Sequence, residues 1–242
     1  MHRFITYLVQ KRNKAFTWDN SLTTADLLEF CFCQGSNLLR GLQVLLRLRN
    51  PKMMLRGKGV IIRGAGHLSW GSFLRLGDRV YINAMGREGI VLGRNVGIGA
   101  YSRLVVSGNI SQPGLGIRIG DYVGIGEFAY LGGAGGLEIG DHTIAGQYLS
   151  CHPENHEYGD PSLPVRLQGV TRKGIKIGSN CWIGSKVTIL DGVTIGNHCI
   201  IAAGAVVTQS FGDHCLVGGV PARKLKDLLP ASINPVLTAQ AI

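Results

Sequence analysis

A six-residue period governs most of this sequence. Counting from Ile177, an aliphatic residue recurs at every sixth position: Ile177, Ile183, Ile189, Ile195, Ile201 and Val207. With aliphatics at about a quarter of positions, such a run arises by chance roughly once in four thousand trials. The residue that follows is often glycine (Gly178, Gly184, Gly196), and the fourth after the aliphatic is small or apolar: Cys181, Val187, Val193, Cys199, Ala205. The same phase runs upstream through Leu76, Ile82, Leu92, Ile98, Leu104, Ile119, Ile125, Leu131, Ile139, Ala145 and Cys151.

A period of six fits neither the 3.6-residue helix nor a strand paired into a hairpin. It fits a short strand followed by a corner. Three such faces close a coil of about 18 residues, and coils stack with their aliphatics inward. The glycine after each aliphatic is expected to supply the backbone freedom of the corner. The chain therefore reads as an all-β solenoid over 58–218, preceded by a helical segment over 1–57 and followed by a tail over 219–242. Two gaps break the period. One, of about nine residues near Ile110–Leu115, holds Pro113 and Gly114 and reads as a turn. The other spans 157–176 and holds Pro161, Pro164, Arg166, Arg172 and Lys173; it reads as a loop thrown out of the solenoid, where repeat proteins carry binding faces.

The ends lack the repeat. Thr24-Ala25-Asp26 is a helix-start signal, and Leu27, Leu28, Cys31, Leu38, Leu39, Leu42, Leu45 and Leu46 recur at helical spacing among Arg40, Arg47 and Arg49. The first expectation is a helix packed on the coil end or on a neighbouring subunit; the second is a basic helix lying on a membrane surface. After Pro221, residues 223–229 read as a short amphipathic C-terminal helix.

Composition narrows the function classes. Glycine makes up 36 of 242 residues and only 17% are charged, while 45% are hydrophobic, which excludes intrinsic disorder and disfavours a helical bundle. The net charge of +10 calls for an anionic partner, but no aromatic platform accompanies it, so nucleic acid is not expected. Cys31, Cys33, Cys151, Cys181, Cys199 and Cys215 include four at small or apolar repeat positions, which suits buried, reduced thiols and a cytoplasmic location. No apolar run reaches the roughly 18 residues a membrane span needs, and no secretory signal is expected at the N-terminus.

Three motifs go further. They are Leu131-Gly132-Gly133-Ala134-Gly135-Gly136-Leu137-Glu138-Ile139-Gly140-Asp141; Asn155-His156-Glu157-Tyr158-Gly159-Asp160-Pro161; and the run from Asn180-Cys181-Trp182-Ile183-Gly184 through Ala203-Gly204-Ala205-Val206-Val207-Thr208 to Gly218-Gly219-Val220-Pro221-Ala222-Arg223. With the hexads, they resemble the hexapeptide-repeat acyltransferases, in the branch of sugar O-acetyltransferases acting on maltose, galactosides, nodulation factors and capsule. The resemblance covers about residues 58–226. It implies a left-handed parallel β-helix, a homotrimer, acetyl-coenzyme A as donor and no metal. The acceptor implied is a saccharide or lipid-linked saccharide, in cell-surface polysaccharide or glycolipid synthesis at the cytoplasm or the inner face of the membrane. Acetyl transfer to a hydroxyl needs a base, and histidine suits it. His156 matches the family's catalytic frame position, with His152 as the alternative. Glu127, where the family places an asparagine, and Asn155 are the acceptor-binding candidates. Trp182, Ser185, Ala203, Gly204, Thr208, Arg223 and Lys226 match donor-binding positions, although Gln209 replaces a family lysine. No nucleophilic Ser or Cys stands in a recognisable elbow, and Cys151 falls at an inward, inert position. Two alternatives stand: a same-fold acyltransferase for serine or an antibiotic, and a non-catalytic β-helix scaffold. His152 and His156 lack a third histidine for a zinc hydratase.

Overall fold

In the computed structural model, which describes residues 21–107 and 111–228 together with Thr6, Gln10 and Asp19, the six-residue period becomes a three-sided parallel solenoid. Its described strands form a nine-stranded, a seven-stranded and a six-stranded sheet, joined corner to corner, with a separate two-stranded ribbon. Ile177, Ile183, Ile189, Ile195, Ile201 and Val207 are all 3% exposed or less, and so are Cys181, Val187, Val193, Cys199 and Ala205. Both inward positions of the hexad therefore build one continuous core. The register also accounts for the two gaps. Ile144 pairs with Trp182, 38 residues on, one coil plus a 20-residue excursion. Gly97 pairs with Gly124, 27 residues on, one coil plus nine.

The corners work differently from the sequence expectation. Gly178, Gly184 and Gly196 do not take a left-handed backbone; Asn180, Lys186 and His198, two residues later, do, with φ of 56°, 60° and 55°. Glycine is required there for close approach instead. A Cβ on Gly126 would lie 2.6 Å from the backbone N of Gln147 in the next coil. Where Asp follows the glycine, its carboxylate ties two coils together. The N–H groups of Lys58, Arg94, Asp121 and Asn197 donate to Asp78, Asp121, Asp141 and Asp213 at 2.7–2.8 Å. The Arg94 N–H and guanidinium hold the Asp121 carboxyl below its ordinary range. The left-handed residues also form columns: Tyr101, Phe128 and Tyr148 stack with centroids 5.1 and 5.0 Å apart, a geometry that rewards ring overlap.

Helix α1, Thr24–Gly41, begins one residue earlier than its sequence signal: Thr23 is the N-cap, and Asp26 at the third position completes a capping box. A 3₁₀ turn over Leu42–Arg47 follows, and its Val44 enters the solenoid core. The expected C-terminal helix is not formed. Ala222–Asp227 is instead a strand antiparallel to Cys215–Gly219, closing the nine-stranded sheet. A helix of seven residues is too short to hold itself, whereas the last sheet edge offers a partner to each backbone group.

Two outcomes follow from this packing. Gly126→Ala should lower stability in urea by about 1–3 kcal/mol, because backbone must move. Gly35→Ala should raise it by up to about 1 kcal/mol, since nothing lies within 4 Å of its Cβ in mid-helix; changes of the same sign would contradict the corner account. At pH 8 a thiol reagent should label exposed Cys33 first and half-buried Cys31 more slowly, leaving buried Cys151, Cys181, Cys199 and Cys215 untouched until unfolding. Burial pushes the Cys151 thiol up to about 12 and Cys199 to about 11. The unfolded chain loses these protons first, so stability should fall as pH rises above about 9.

Candidate active site

The corner between the seven- and six-stranded sheets is irregular, and both excursions leave from it. Strands Arg103–Val105, Tyr130–Gly132 and Ser150–His152 run side by side in successive coils and end there. The glycine run after Leu131 keeps the chain thin. A Cβ on Gly132 would come within 2.9 Å of the Cys151 carbonyl and the Pro153 ring, and one on Gly133 within 2.8 Å of Ile117. The result is a cleft of about 380 Å³ floored by Val105, Val106, Gly132 and Gly133 and walled by Tyr130, His152, Glu154, His156 and Arg172. Its size falls in the range of small-molecule sites.

The two histidines differ in their support. His152 is fixed: its Nε2 lies 2.7 Å from Ser150 Oγ, and its ring stacks on Tyr130 with centroids 5.3 Å apart. His156 is carried by the ribbon Asn155–His156, which pairs antiparallel with Val170–Thr171. Its imidazole faces the cleft, is exposed, and makes no side-chain hydrogen bond among the described residues. The neck of the excursion is closed by a 2.6 Å ion pair between Arg172 Nε and Glu154 Oε2. Arg172 also donates to the carbonyl of Gln112 at 3.3 Å, so the long excursion is tied to the short one across the cleft. Beyond the ribbon, Gln168 holds the excursion with bonds to the carbonyls of Asp160 and Leu163.

The remaining candidates stand elsewhere on the coil. Asn155 is exposed beside His156 but does not line the cleft. Glu127 sits exposed at the corner between the nine- and seven-stranded sheets, beside Phe128, and does not line the cleft either. Ser185, Ala203 and Gly204 come together on that same corner in adjacent coils, where the Gly204 N–H donates to the Ser185 carbonyl at 2.9 Å. Exposed Trp182 lies on the nine-stranded sheet between Ile144 and Ile200. Arg223 and Lys226 are exposed on the sheet's last strand, while Thr208 follows Val207 on the seven-stranded sheet. None of these donor candidates lines the histidine cleft of the same chain. Among the described residues, no group of three or more His, Cys, Asp or Glu is placed to hold a metal.

Sequence reasoning did not single out Tyr130, Ser150 or Glu154 at this site, and it gave Arg172 only as a loop residue. Tyr130 and Ser150 were within reach, because the hexad frame puts them in one outward column a coil apart. The Glu154–Arg172 pair depends on the path of the excursion, which carries no periodic signal.

Three comparisons bear on this geometry. Residues 174–209 match the bacterial transferase hexapeptide family (six repeats). The chain is 28% identical over 189 residues to a probable acetyltransferase of Mycobacterium tuberculosis, covering 75% of this chain and 54% of that protein. It is 35% identical over 97 residues to the galactoside O-acetyltransferase of Escherichia coli, covering 38% of this chain and 44% of that one. The chain thus spans about half the length of these relatives. An N-acyltransferase of Bacillus cereus, solved with dTDP-4-amino-4,6-dideoxyglucose and coenzyme A, has the same fold. The TM-score is 0.51 at 23% identity, over 76% of this chain and 89% of that one. The inward hexads, the three-sided coil and these likenesses agree: residues 174–209 carry the repeat of the bacterial hexapeptide transferases, and the chain folds as a left-handed parallel β-helix.

Proposed function

We propose that this chain is an acetyltransferase that moves an acetyl group from acetyl-coenzyme A to a hydroxyl of a saccharide, in the synthesis of cell-surface polysaccharide or glycolipid. The observation that carries the reading is the unpartnered imidazole of His156 at the mouth of a cleft of sugar size, beside a second histidine that is pinned. His156 takes the proton of the acceptor hydroxyl as its oxygen attacks the thioester carbonyl. The C–O bond forms, the C–S bond breaks, and the proton passes to the departing thiolate of coenzyme A. No acyl-enzyme is involved: Cys151, the nearest thiol in sequence, is fully buried and held protonated. His152 is the alternative base; with its Nε2 engaged by Ser150, it serves in this reading to position the acceptor. Asn155 and Glu127 are the acceptor contacts the family resemblance suggests.

On the donor side, Ser185, Ala203 and Gly204 offer a flat corner to the thin pantetheine arm, and exposed Trp182 an apolar surface. Arg223 and Lys226 offer positive charge to the phosphates, with Thr208 as a further contact. These residues and the cleft lie on different edges and faces of the solenoid, in different coils. A homotrimer with three-fold closure brings the donor corner of one copy to the cleft of the next, and the exposed ladder Tyr101, Phe128 and Tyr148 gives such packing an apolar surface. In this reading the enzyme works in the cytoplasm and meets saccharide or lipid-linked saccharide acceptors there.

With acetyl-coenzyme A and a panel of saccharides, His156→Ala should lower kcat by about 10²–10⁴-fold while coenzyme A binding persists. Cys151→Ala should retain turnover per folded enzyme. Arg223→Ala should instead raise the KM for acetyl-coenzyme A about tenfold or more, as loss of a charged hydrogen bond does. If His152→Ala abolishes turnover and His156→Ala does not, the base is His152; if neither matters, general-base catalysis here is wrong. Sedimentation equilibrium at micromolar concentration should give three times the 26.0 kDa chain mass, and a monomer would remove the shared-site account.

A further inference from the structure

The N-terminal end of the solenoid combines two features that the transfer reading does not use. The first is an apolar strip on α1 and the turn after it. Leu27 and Gly41 are buried, but the adjoining strip through Leu28, Phe32 and Leu39 is not, and it continues through Leu42, Leu46 and Leu48. Phe32, Leu39, Leu46 and Leu48 are 78, 68, 87 and 97% exposed. Single exposed leucines are ordinary, whereas a contiguous run marks a docking face. The second feature is charge. Between residues 40 and 103, twelve Lys and Arg stand against two acidic residues, Asp78 and Glu88. The rest of the chain holds thirteen of each sign, so the whole excess of ten lies in this stretch. Five of the twelve fall between residues 47 and 58, directly after α1. Lys58, Arg63, Arg79 and Arg103 make no ion pair among the described residues; the three arginines lie over Tyr81 or Tyr101.

We infer that α1 and its following turn dock on an anionic lipid bilayer, lying in the interface with Phe32, Leu39 and Leu46 inserted and the first-coil cations among the headgroups. The two features together select this occupant. Nucleic acid satisfies the charge but leaves the Phe and Leu side chains in water. A second copy seated face to face covers the leucines but brings two strongly cationic ends together. An anionic bilayer meets both needs, as interfacial helices with basic flanks do. No helix among the described residues is long and apolar enough to cross a membrane, so the contact is peripheral. This inference does not depend on the acetyl-transfer reading, and its test involves no catalysis.

The test is sedimentation of the full chain with vesicles of phosphatidylcholine containing 30% phosphatidylglycerol, against pure phosphatidylcholine, in 0.1 M salt. The chain should sediment with the anionic vesicles and at least tenfold less with the neutral ones. Each cation near an anionic surface contributes about fivefold in affinity, so Lys58→Glu with Arg63→Glu should weaken binding about tenfold or more, as should 0.5 M salt. Phe32→Ser, Leu39→Ser and Leu46→Ser combined should also cost at least tenfold, with the thermal unfolding and sedimentation coefficient of the unmodified chain retained because these side chains are exposed. Three results overturn the inference: no sedimentation with anionic vesicles, equal binding by the triple serine variant, or a smaller species for that variant in vesicle-free solution, which assigns the face to a second copy. Binding of a single-stranded oligonucleotide as tight as that of anionic vesicles, and unchanged in the triple variant, also overturns it by assigning the charge to nucleic acid.

Discussion

Each inward aliphatic of the nine-stranded sheet sits on the one from the coil before: Ile125 on Ile98, Ala145 on Ile125, Ile183 on Ala145, Ile201 on Ile183. This column, with its parallel strand pairing, is repeated on the other two faces. Within the repeat, the strands of each coil pair only with those of the coils next to it. Register is therefore restored locally, and chain can leave at a corner and return without disturbing the coils above. The cost is loop closure, which grows slowly with length. Both excursions exploit this at the same corner, two coils apart, and Arg172 joins them through the Gln112 carbonyl. The cleft exists because two interruptions of one repeat coincide on one edge.

The corners show how little is left to the individual residue. Left-handed backbone costs a non-glycine residue about 1 kcal/mol or more, yet Tyr101, Phe128 and Tyr148 all adopt it. Each gains a stacked ring above or below, and the glycine before it admits the neighbouring coil to close range. At another corner, that of Tyr122 and His142, the residue after the glycine is Asp, which accepts an N–H from the preceding coil. The Gly-Asp pair is thus a clamp between coils, and the flexibility expected of its glycine is not what the corner uses.

The architecture was legible because the core repeats. Six aliphatics at one spacing name the inward positions, and the insertions could be measured as departures from the coil length: the nine and twenty residues counted in the sequence are the offsets at Gly97–Gly124 and Ile144–Trp182. His156 was legible as a site candidate because it stands in frame just before the longer departure. What repeats do not encode was not legible. The C-terminal residues carry a helical pattern, but an open sheet edge outcompetes a helix too short to propagate, and no local pattern announces that edge. The bond between Ser150 and His152 joins residues two apart on one strand, which places them on the same face. That relation was available from strand periodicity, yet it acquires meaning only once Tyr130 is known to lie beneath the imidazole.

The same nearest-neighbour logic explains how charge can be so unevenly spread. In a globular core, ten uncompensated cations within some sixty residues would repel across a shared interior. Along a solenoid the coils are filled by aliphatics, and the described cations of 40–103 stay out of that core: Arg63, Arg79 and Arg103 lie over tyrosine rings, Arg94 pairs with Asp121, and Arg40, Arg49 and Lys52 donate to backbone carbonyls. Their mutual repulsion is screened within about 10 Å at ordinary ionic strength, so coils farther along do not feel it. The coils that carry Glu154, Arg172 and the two histidines hold a balanced set of charges and can keep an ion pair of their own. A linear core thus separates a strongly cationic end from a cleft whose electrostatics are set locally, and either can change in sequence without retuning the other.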